Sequence, residues 1–304
     1  MNSKLEYPDA AIEEPVWSLT GSGGLTVHGK TTAPSGTARA VALVVHGYTG
    51  HLDRNVVPLV ARQLAELGCL THRFNLGHCG IEFGGDRITK LDEFEADSVA
   101  HSMADIRAVA ESVHTGALEG ADLPLILIGH SRAGASVLGA AVRSARAEWS
   151  KPVEGVITLA SIGQYARTSP ELLREVADAG FLERPAARAE GGSVRIGRSW
   201  YEHELDSDRG DPFPADLAEL HRMPIEVIHG EADTSVPCSE SDRIVEMLRD
   251  AGNQRVRSHR IAGADHNFSA KGVLGEDLRW NRAIAAELKE AVADGLDLIL
   301  NPSA

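Results

Sequence analysis

Ser131, Asp233 and His266 stand far apart in the chain, yet each lies just past a run of strand-forming residues. Ser131 falls in "LPLILIGHSRAGASVLGAAVR", positions 123 to 143, where residues fit for a buried strand stop at Gly129-His130-Ser131 and continue at once as a small-residue helix. A strand running straight into a helix makes a sharp turn. Its middle residue is strained and projects its side chain above the carboxyl edge of the sheet. Ser131 is that residue, and Gly129, Ala133, Gly134 and Ala135 are the small neighbours that let strand and helix backbones approach. A serine hydroxyl at its ordinary pKa is a poor nucleophile, so it needs a base within hydrogen-bond reach and a third group to hold that base. Taken alone, G-x-S is a weak pattern, since serine is also a good helix N-cap.

A nucleophile on such a turn takes its acid and then its histidine later in the chain. Of thirteen histidines, only His259 and His266 follow the late strand that could carry the acid. His259 sits inside the strand candidate "RVRSHRI", whereas His266 follows it in the loop "AGADHNF", so His266 is the expected base. For the acid, "MPIEVIHGEADTSVP" reads as an apolar strand followed by a loop bearing Glu231 and Asp233. Asp233 is the choice. Its rival Asp265 adjoins His266, and side chains of adjacent residues diverge. The competing role for Asp233 is a turn residue bonding its own backbone. The oxyanion of a tetrahedral intermediate also needs donors. One is the backbone N–H of Arg132, directly after the nucleophile. The other is expected from the loop His46-Gly47-Tyr48-Thr49-Gly50 after the strand "VALVV", with the Tyr48 N–H as candidate.

These residues require a scaffold, and the chain supplies one by alternating strand-like and helix-like segments, the pattern of a parallel sheet with crossover helices. After a hairpin-like opening ("VWSLT", "GSGG", "LTVHG"), strands are expected at Val41 to Val45, Leu70 to Asn75, Leu125 to Ile128, Val153 to Leu159, Ile225 to Ile228 and Val256 to Ile261. Helices are expected at Asn55 to Leu67, Leu91 to His114, Arg132 to Ala147, Ser239 to Ala251 and Asp277 to Leu300. The last aligns Trp280, Ile284, Leu288, Val292, Leu296 and Leu300 on one i+4 row that should dock on the sheet. Between the strands ending at Ala160 and beginning at Ile225 the chain is far longer than a crossover needs. That stretch holds a helix "SPELLREVADAG", capped by Ser169 and Pro170 and stopped by Gly180. It also holds Tyr165, Phe181, Trp200, Tyr201 and Phe213, which suit either a lid over a pocket or a small core of its own. The expected division is a core of residues 1–160 and 217–304 with a lid or cap insertion at 161–216.

Composition narrows the partners. With 44 acidic against 30 basic side chains the formal charge is −14, which repels phosphate backbones and anionic lipid, and 5% aromatic content offers little base-stacking surface. Neither nucleic acid nor a membrane is therefore an expected partner. The N-terminus "MNSKLEYPDAAIEEP" lacks a basic region followed by an apolar stretch, and no segment offers about 18 uncharged apolar residues, so a cytoplasmic location is the default expectation. Cys69, Cys79 and Cys238, an odd count at irregular spacing, are expected to be reduced thiols. His72, His78 and Cys79 lack a fourth ligand for zinc. "HCGIEFGGD" lacks the Gly-Lys-Ser/Thr of a phosphate cradle. His46, His130 and His229 are expected to be packed or hydrogen-bonded supports. A homo-oligomer remains open.

With "HGYTG" at 46 to 50, "GHSRAG" at 129 to 134, "HGEADTSVP" at 229 to 237 and "GADHNF" at 263 to 268, the chain resembles the α/β-hydrolase fold serine hydrolases over nearly its whole length. "HGYTGHLDR", "RFNLGHCGIEFGG" and the insertion are most similar to the feruloyl and cinnamoyl esterase branch. The resemblance implies a mostly parallel sheet with helices on both faces and a lid inserted between the sixth and seventh strands. It also implies cleavage of a small-molecule carboxylic ester by Ser131, Asp233 and His266 with no cofactor and no metal. Acyl transfer, thioester cleavage or C–C bond hydrolysis with the same residues is the alternative. A non-catalytic binding protein on the same fold is a third reading. Two positions depart from the family pattern: Ala133 stands where a glycine is usual, and Arg132 puts a charge beside the nucleophile, to pair with an acidic neighbour or to contact an acidic substrate.

Overall fold

The structure, a computed structural model, describes residues 4–6, 14–164, 168–201 and 216–301. Tyr165 and Phe213, two aromatics of the insertion, lie outside the described residues. The described chain opens with β1 (Lys4–Glu6) and a hairpin of β2 (Val16–Thr20) and β3 (Thr26–Thr32). It then alternates through β4 (Ala40–Val45), α1 (Val56–Glu66), β5 (Cys69–Asn75), α2 (Leu91–Glu95), α3 (Val99–His114), β6 (Leu125–His130), α4 (Arg132–Ala145) and β7 (Val153–Leu159). The insertion follows, with α5 (Pro170–Ala179) and the hairpin β8 (Phe181–Pro185) and β9 (Ser193–Gly197). The chain then returns through β10 (Ile225–Gly230), α6 (Ser239–Asp250), β11 (Val256–Ile261), β12 (Arg279–Asn281) and α7 (Arg282–Leu300).

Eight strands form the main sheet in the order β11-β10-β7-β6-β4-β5-β3-β2. Neighbours from β11 to β5 are parallel, while β3 and β2 close one edge antiparallel. The central strand β4 is apolar at every position because both faces are covered. On β4, Val41, Leu43 and Val45 meet α3 and α4 on one face, and Ala40, Ala42 and Val44 meet α1 and α7 on the other. The insertion separates the sixth and seventh strands of this sheet, β7 and β10, so the architecture is the α/β-hydrolase fold that the motifs implied.

Two helix expectations change. Leu91 to His114 is not one helix: it breaks at Ala96-Asp97-Ser98, where the Ser98 hydroxyl accepts from the His101 N–H at 3.1 Å and starts α3. A serine N-cap outcompetes the continuous pattern. Residues 277 to 281 precede α7 instead of opening it. Trp280 lies in β12, paired with Leu5 of β1, and Asn281 caps the helix through Ala283 N–H at 3.0 Å. Ile284, Leu288, Val292 and Leu296 are buried against the sheet as their i+4 row requires. Within the insertion, Ser169 Oγ caps α5 and Gly180 ends it at φ 85°.

Candidate active site

Ser131 sits between β6 and α4 with φ 58° and ψ −127°, a conformation strained for any residue with a Cβ. Packing enforces it. A Cβ on Gly129 would strike the Ala133 carbonyl, one on Gly134 would strike Ser161, and one on Gly47 would lie 2.8 Å from the His130 carbonyl and the Ser131 Cβ. Ala133, where a glycine was the usual residue, is fully accommodated at 1% exposure. The strained turn lifts the hydroxyl out of the sheet edge toward His266.

The structure brings Ser131, Asp233 and His266 into one hydrogen-bonded line. His266 Nε2 lies 3.0 Å from Ser131 Oγ, and His266 Nδ1 lies 2.7 Å from Asp233 Oδ2. The Asp233 carboxylate is buried and held by its own loop. Its Oδ1 accepts the Ser235 and Val236 N–H groups at 2.8 and 2.9 Å. The turn role and the orienting role are thus played by different oxygens of one side chain. Burial pushes the Asp233 carboxyl up, but the Val236 N–H, His266 and the Ser235 N–H together hold it below its ordinary value. Asp265, the rival acid, accepts the Asn267 and Ser269 N–H groups at 3.0 and 2.8 Å and so shapes the loop that presents His266.

The surrounding histidines act as supports. Buried His46 bridges the Gly47 carbonyl at 2.9 Å and the Leu76 N–H at 3.2 Å, and burial lowers its pKa to about 4. His130 donates from Nε2 to the His266 carbonyl at 2.8 Å, and burial lowers its pKa to about 3. His229 bonds Ser241 Oγ through Nδ1 and the Val236 carbonyl at 2.9 Å through Nε2, so it secures the Asp233 loop; burial lowers its pKa too. His72 instead bonds Thr31 and the Glu119 carbonyl, and His78 bonds Ser22 and stacks on His101. Among the described residues no three His, Cys, Asp or Glu side chains gather as a metal site, and the three cysteines are unpaired.

Tyr48 and Arg132 line one cavity with Ser131, and among the described residues neither backbone N–H donates to a backbone carbonyl. The Arg132 side chain pairs with Asp97: Nη1 lies 2.6 Å from Oδ2, both side chains being about nine-tenths buried. Its guanidinium also stacks 3.6 Å above Trp200, which meets the Tyr48 ring edge-on at 5.1 Å. Asp97 is the participant that sequence reasoning missed. Only Ser98 signalled the helix break that frees it.

A cavity of about 390 Å³ opens over the serine, bounded by Tyr48, Val99, Ile162, Trp200, Val236 and His266. Trp200 belongs to the insertion, while Tyr201 packs with Val176, Leu182 and Ile196 in a small core of the insertion itself. Trp200 also packs against that small core.

Residues 42–273 match the alpha/beta hydrolase family model, and the chain belongs to that family. Among solved structures it is similar to a putative hydrolase from Agrobacterium vitis S4, with 17% identity over 93% of this chain and 98% of that one at a TM-score of 0.68. It is similar to Est1E from Butyrivibrio proteoclasticus with ferulic acid bound, with 16% identity, 94% and 99% coverage and a TM-score of 0.63. Alpha/beta hydrolase domain-containing protein 10 from mouse gives 21% identity, 93% and 98% coverage and a TM-score of 0.63. At such identities these likenesses concern the fold alone. Comparison with the sequences of curated proteins gave no match. Among the described residues no helix is long and apolar enough to cross a membrane.

Proposed function

We propose that this member of the alpha/beta hydrolase family is a serine hydrolase that cleaves a small carboxylic ester through an acyl-enzyme intermediate. The observation that carries the reading is the unbroken line from Asp233 through His266 to Ser131, at 2.7 and 3.0 Å. His266 takes the hydroxyl proton as Ser131 Oγ bonds to the ester carbonyl carbon, and Asp233 holds the ring and offsets its new charge. The carbonyl oxygen becomes an oxyanion held by the Tyr48 and Arg132 N–H groups, each such donor contributing about 3 to 4 kcal/mol to the transition state. Collapse expels the alcohol, which receives the proton from His266. Water, deprotonated by the same imidazole, then releases the acid and restores the serine. No step requires a cofactor.

The insertion serves as a lid in this reading, since Trp200 walls the cavity and its neighbours pack on Tyr48. The apolar and aromatic wall favours an aromatic or alkyl group beside the scissile bond, in keeping with the ferulic acid bound by the similar fold of Est1E. Labelling by a fluorophosphonate probe tests the nucleophile. The wild-type protein should take up one equivalent and turn over a short p-nitrophenyl ester, and Ser131→Ala should do neither. Stoichiometric labelling of the Ser131→Ala protein would rule out the assignment.

A further inference from the structure

We propose that a second cavity beside Ser131 is a subsite for an anionic oxygen group, carboxylate or another oxyanion, so that the preferred ester carries a negative charge near its scissile bond. The inference rests on the ester-hydrolase reading. The cavity, about 190 Å³, shares Ser131 and His266 with the larger one and is otherwise lined by residues that include His51, Arg54, Asn55 and Arg188. Neither aspartate nor glutamate lines it.

The two charged side chains lining this space, Arg54 and Arg188, are both guanidiniums. Arg188 comes from the insertion and is fixed there: Ile88 N–H donates to its carbonyl at 2.9 Å, and Ala189 bridges Ile88 in parallel. Its guanidinium bonds the Asp86 carbonyl at 2.7 Å, and among the described residues it forms no ion pair with a carboxylate. Arg54 pairs with the Asp86 carboxylate at 3.5 Å. Burial and the neighbouring Arg54 charge lower the Arg188 pKa to about 10. His51, 4% exposed, accepts the Asp53 N–H at Nδ1 (3.1 Å), so its proton resides on Nε2, a buried donor with no partner.

Helix α1 adds a further positive pole. Its first residues, Val56 and Val57, line the cavity, its first turn holds no acidic residue, and Asn55 makes no side-chain cap because its Oδ1 is engaged by the Gly272 N–H at 3.2 Å. A helix N-terminus, two guanidiniums and an unpartnered imidazole N–H converging next to the nucleophile in a chain of charge −14 constitute an anion receptor.

The test uses matched ester pairs with wild-type protein and with Arg188→Gln and Arg54→Gln. In one arm the acyl group carries the charge: 4-nitrophenyl hemisuccinate against its methyl ester. In the other the leaving group carries it: the acetyl ester of 4-hydroxybenzoate against that of methyl 4-hydroxybenzoate. One arm should show kcat/KM favouring the anionic member by roughly ten- to a hundredfold, identifying which side of the bond enters the cavity. Arg188→Gln should shrink that ratio about tenfold or more, Arg54→Gln should shrink it less, and Arg188→Lys should retain part of it. The ratio is internal to each preparation, so loss of folded protein does not imitate the effect. Turnover of neutral esters with no anion preference in either arm overturns the subsite and leaves the esterase reading standing. A preference untouched by both arginine substitutions also overturns it. Failure to turn over any member overturns both.

Discussion

Glu226, at the second position of β10, is buried to 1% exposure beneath α7, and its Oε2 has no hydrogen-bond partner. A Cβ on Gly295 of α7 would come within 2.9 Å of the Glu226 Cβ, which shows how closely the helix covers this carboxyl. Burial raises its pKa from 4.5 to about 7; Arg257 on the neighbouring strand opposes the shift and Asp294 adds to it. Between these values the folded protein holds a proton that the unfolded chain has released, so stability falls as pH rises through the window. The full penalty is about 2.5 pH units, or about 3 kcal/mol, and roughly 2.5 kcal/mol of it accrues between about pH 5 and about pH 8. Glu226→Gln keeps the shape and removes the titration. Thermal melts of both proteins at the two pH values give the double difference, in which the constant effect of the amide cancels. With unfolding entropy of about 2.1 cal/mol/K per residue over 304 residues, the variant should gain about 4 °C more at the higher pH than at the lower. A double difference near zero would refute the buried, unpaired carboxyl.

Asp233→Asn should lower kcat by about four orders of magnitude while leaving the melting temperature near that of wild type, because an amide can still accept the loop N–H groups but no longer fixes the imidazole tautomer. The Asp233 pKa is held below its ordinary value, so the stability from its contacts is present above that value and is lost as pH falls through the folded-state pKa; acid-limb melts of wild type against Asp233→Asn measure it. Asp97→Ala leaves the Arg132 guanidinium buried without its counter-ion and should destabilise by about 3 to 5 kcal/mol, whereas the double variant Asp97→Leu with Arg132→Met should recover most of that loss in denaturant melts.

The two sheet faces, the strained Ser131 and the loop positions of Asp233 and His266 were legible because each is set by local pattern: apolar runs, small residues around a turn, a histidine just past a strand. What escaped was set by tertiary contact. Nothing near Arg132 in sequence indicates that its partner is Asp97, thirty-five positions earlier, and the break that frees Asp97 depends on one serine cap inside an otherwise continuous helical pattern. Trp280 fitted the i+4 row of α7 by spacing but pairs with β1, a contact between opposite ends of the chain. Glu226 went unremarked inside a strand read as apolar, and the close approach of Gly295 helps to make it costly. The donors around the second cavity come from the first crossover and from the insertion, and no linear motif joins Arg54 to Arg188.

The proposed mechanism forms one new cation beside the serine, on His266. Were His130 protonated, its ring, 4.8 Å from that of His266, would oppose the imidazolium by about 3 kcal/mol at an effective dielectric near 20. Burial forbids this by lowering the His130 pKa to about 3, it lowers that of His46 to about 4, and it lowers that of His229 as well. The Arg132 charge is matched by Asp97, and the carboxylate bonded to His266 is that of Asp233. Arg54, paired with Asp86, and Arg188, bonded to the Asp86 backbone carbonyl, line a cavity that also contains His266. In the proposed reaction the charge lining that cavity would favour the oxyanion but disfavour the imidazolium. An anion bound there would offset the excess as His266 becomes charged, so under that proposal its effect should fall on kcat as well as on KM.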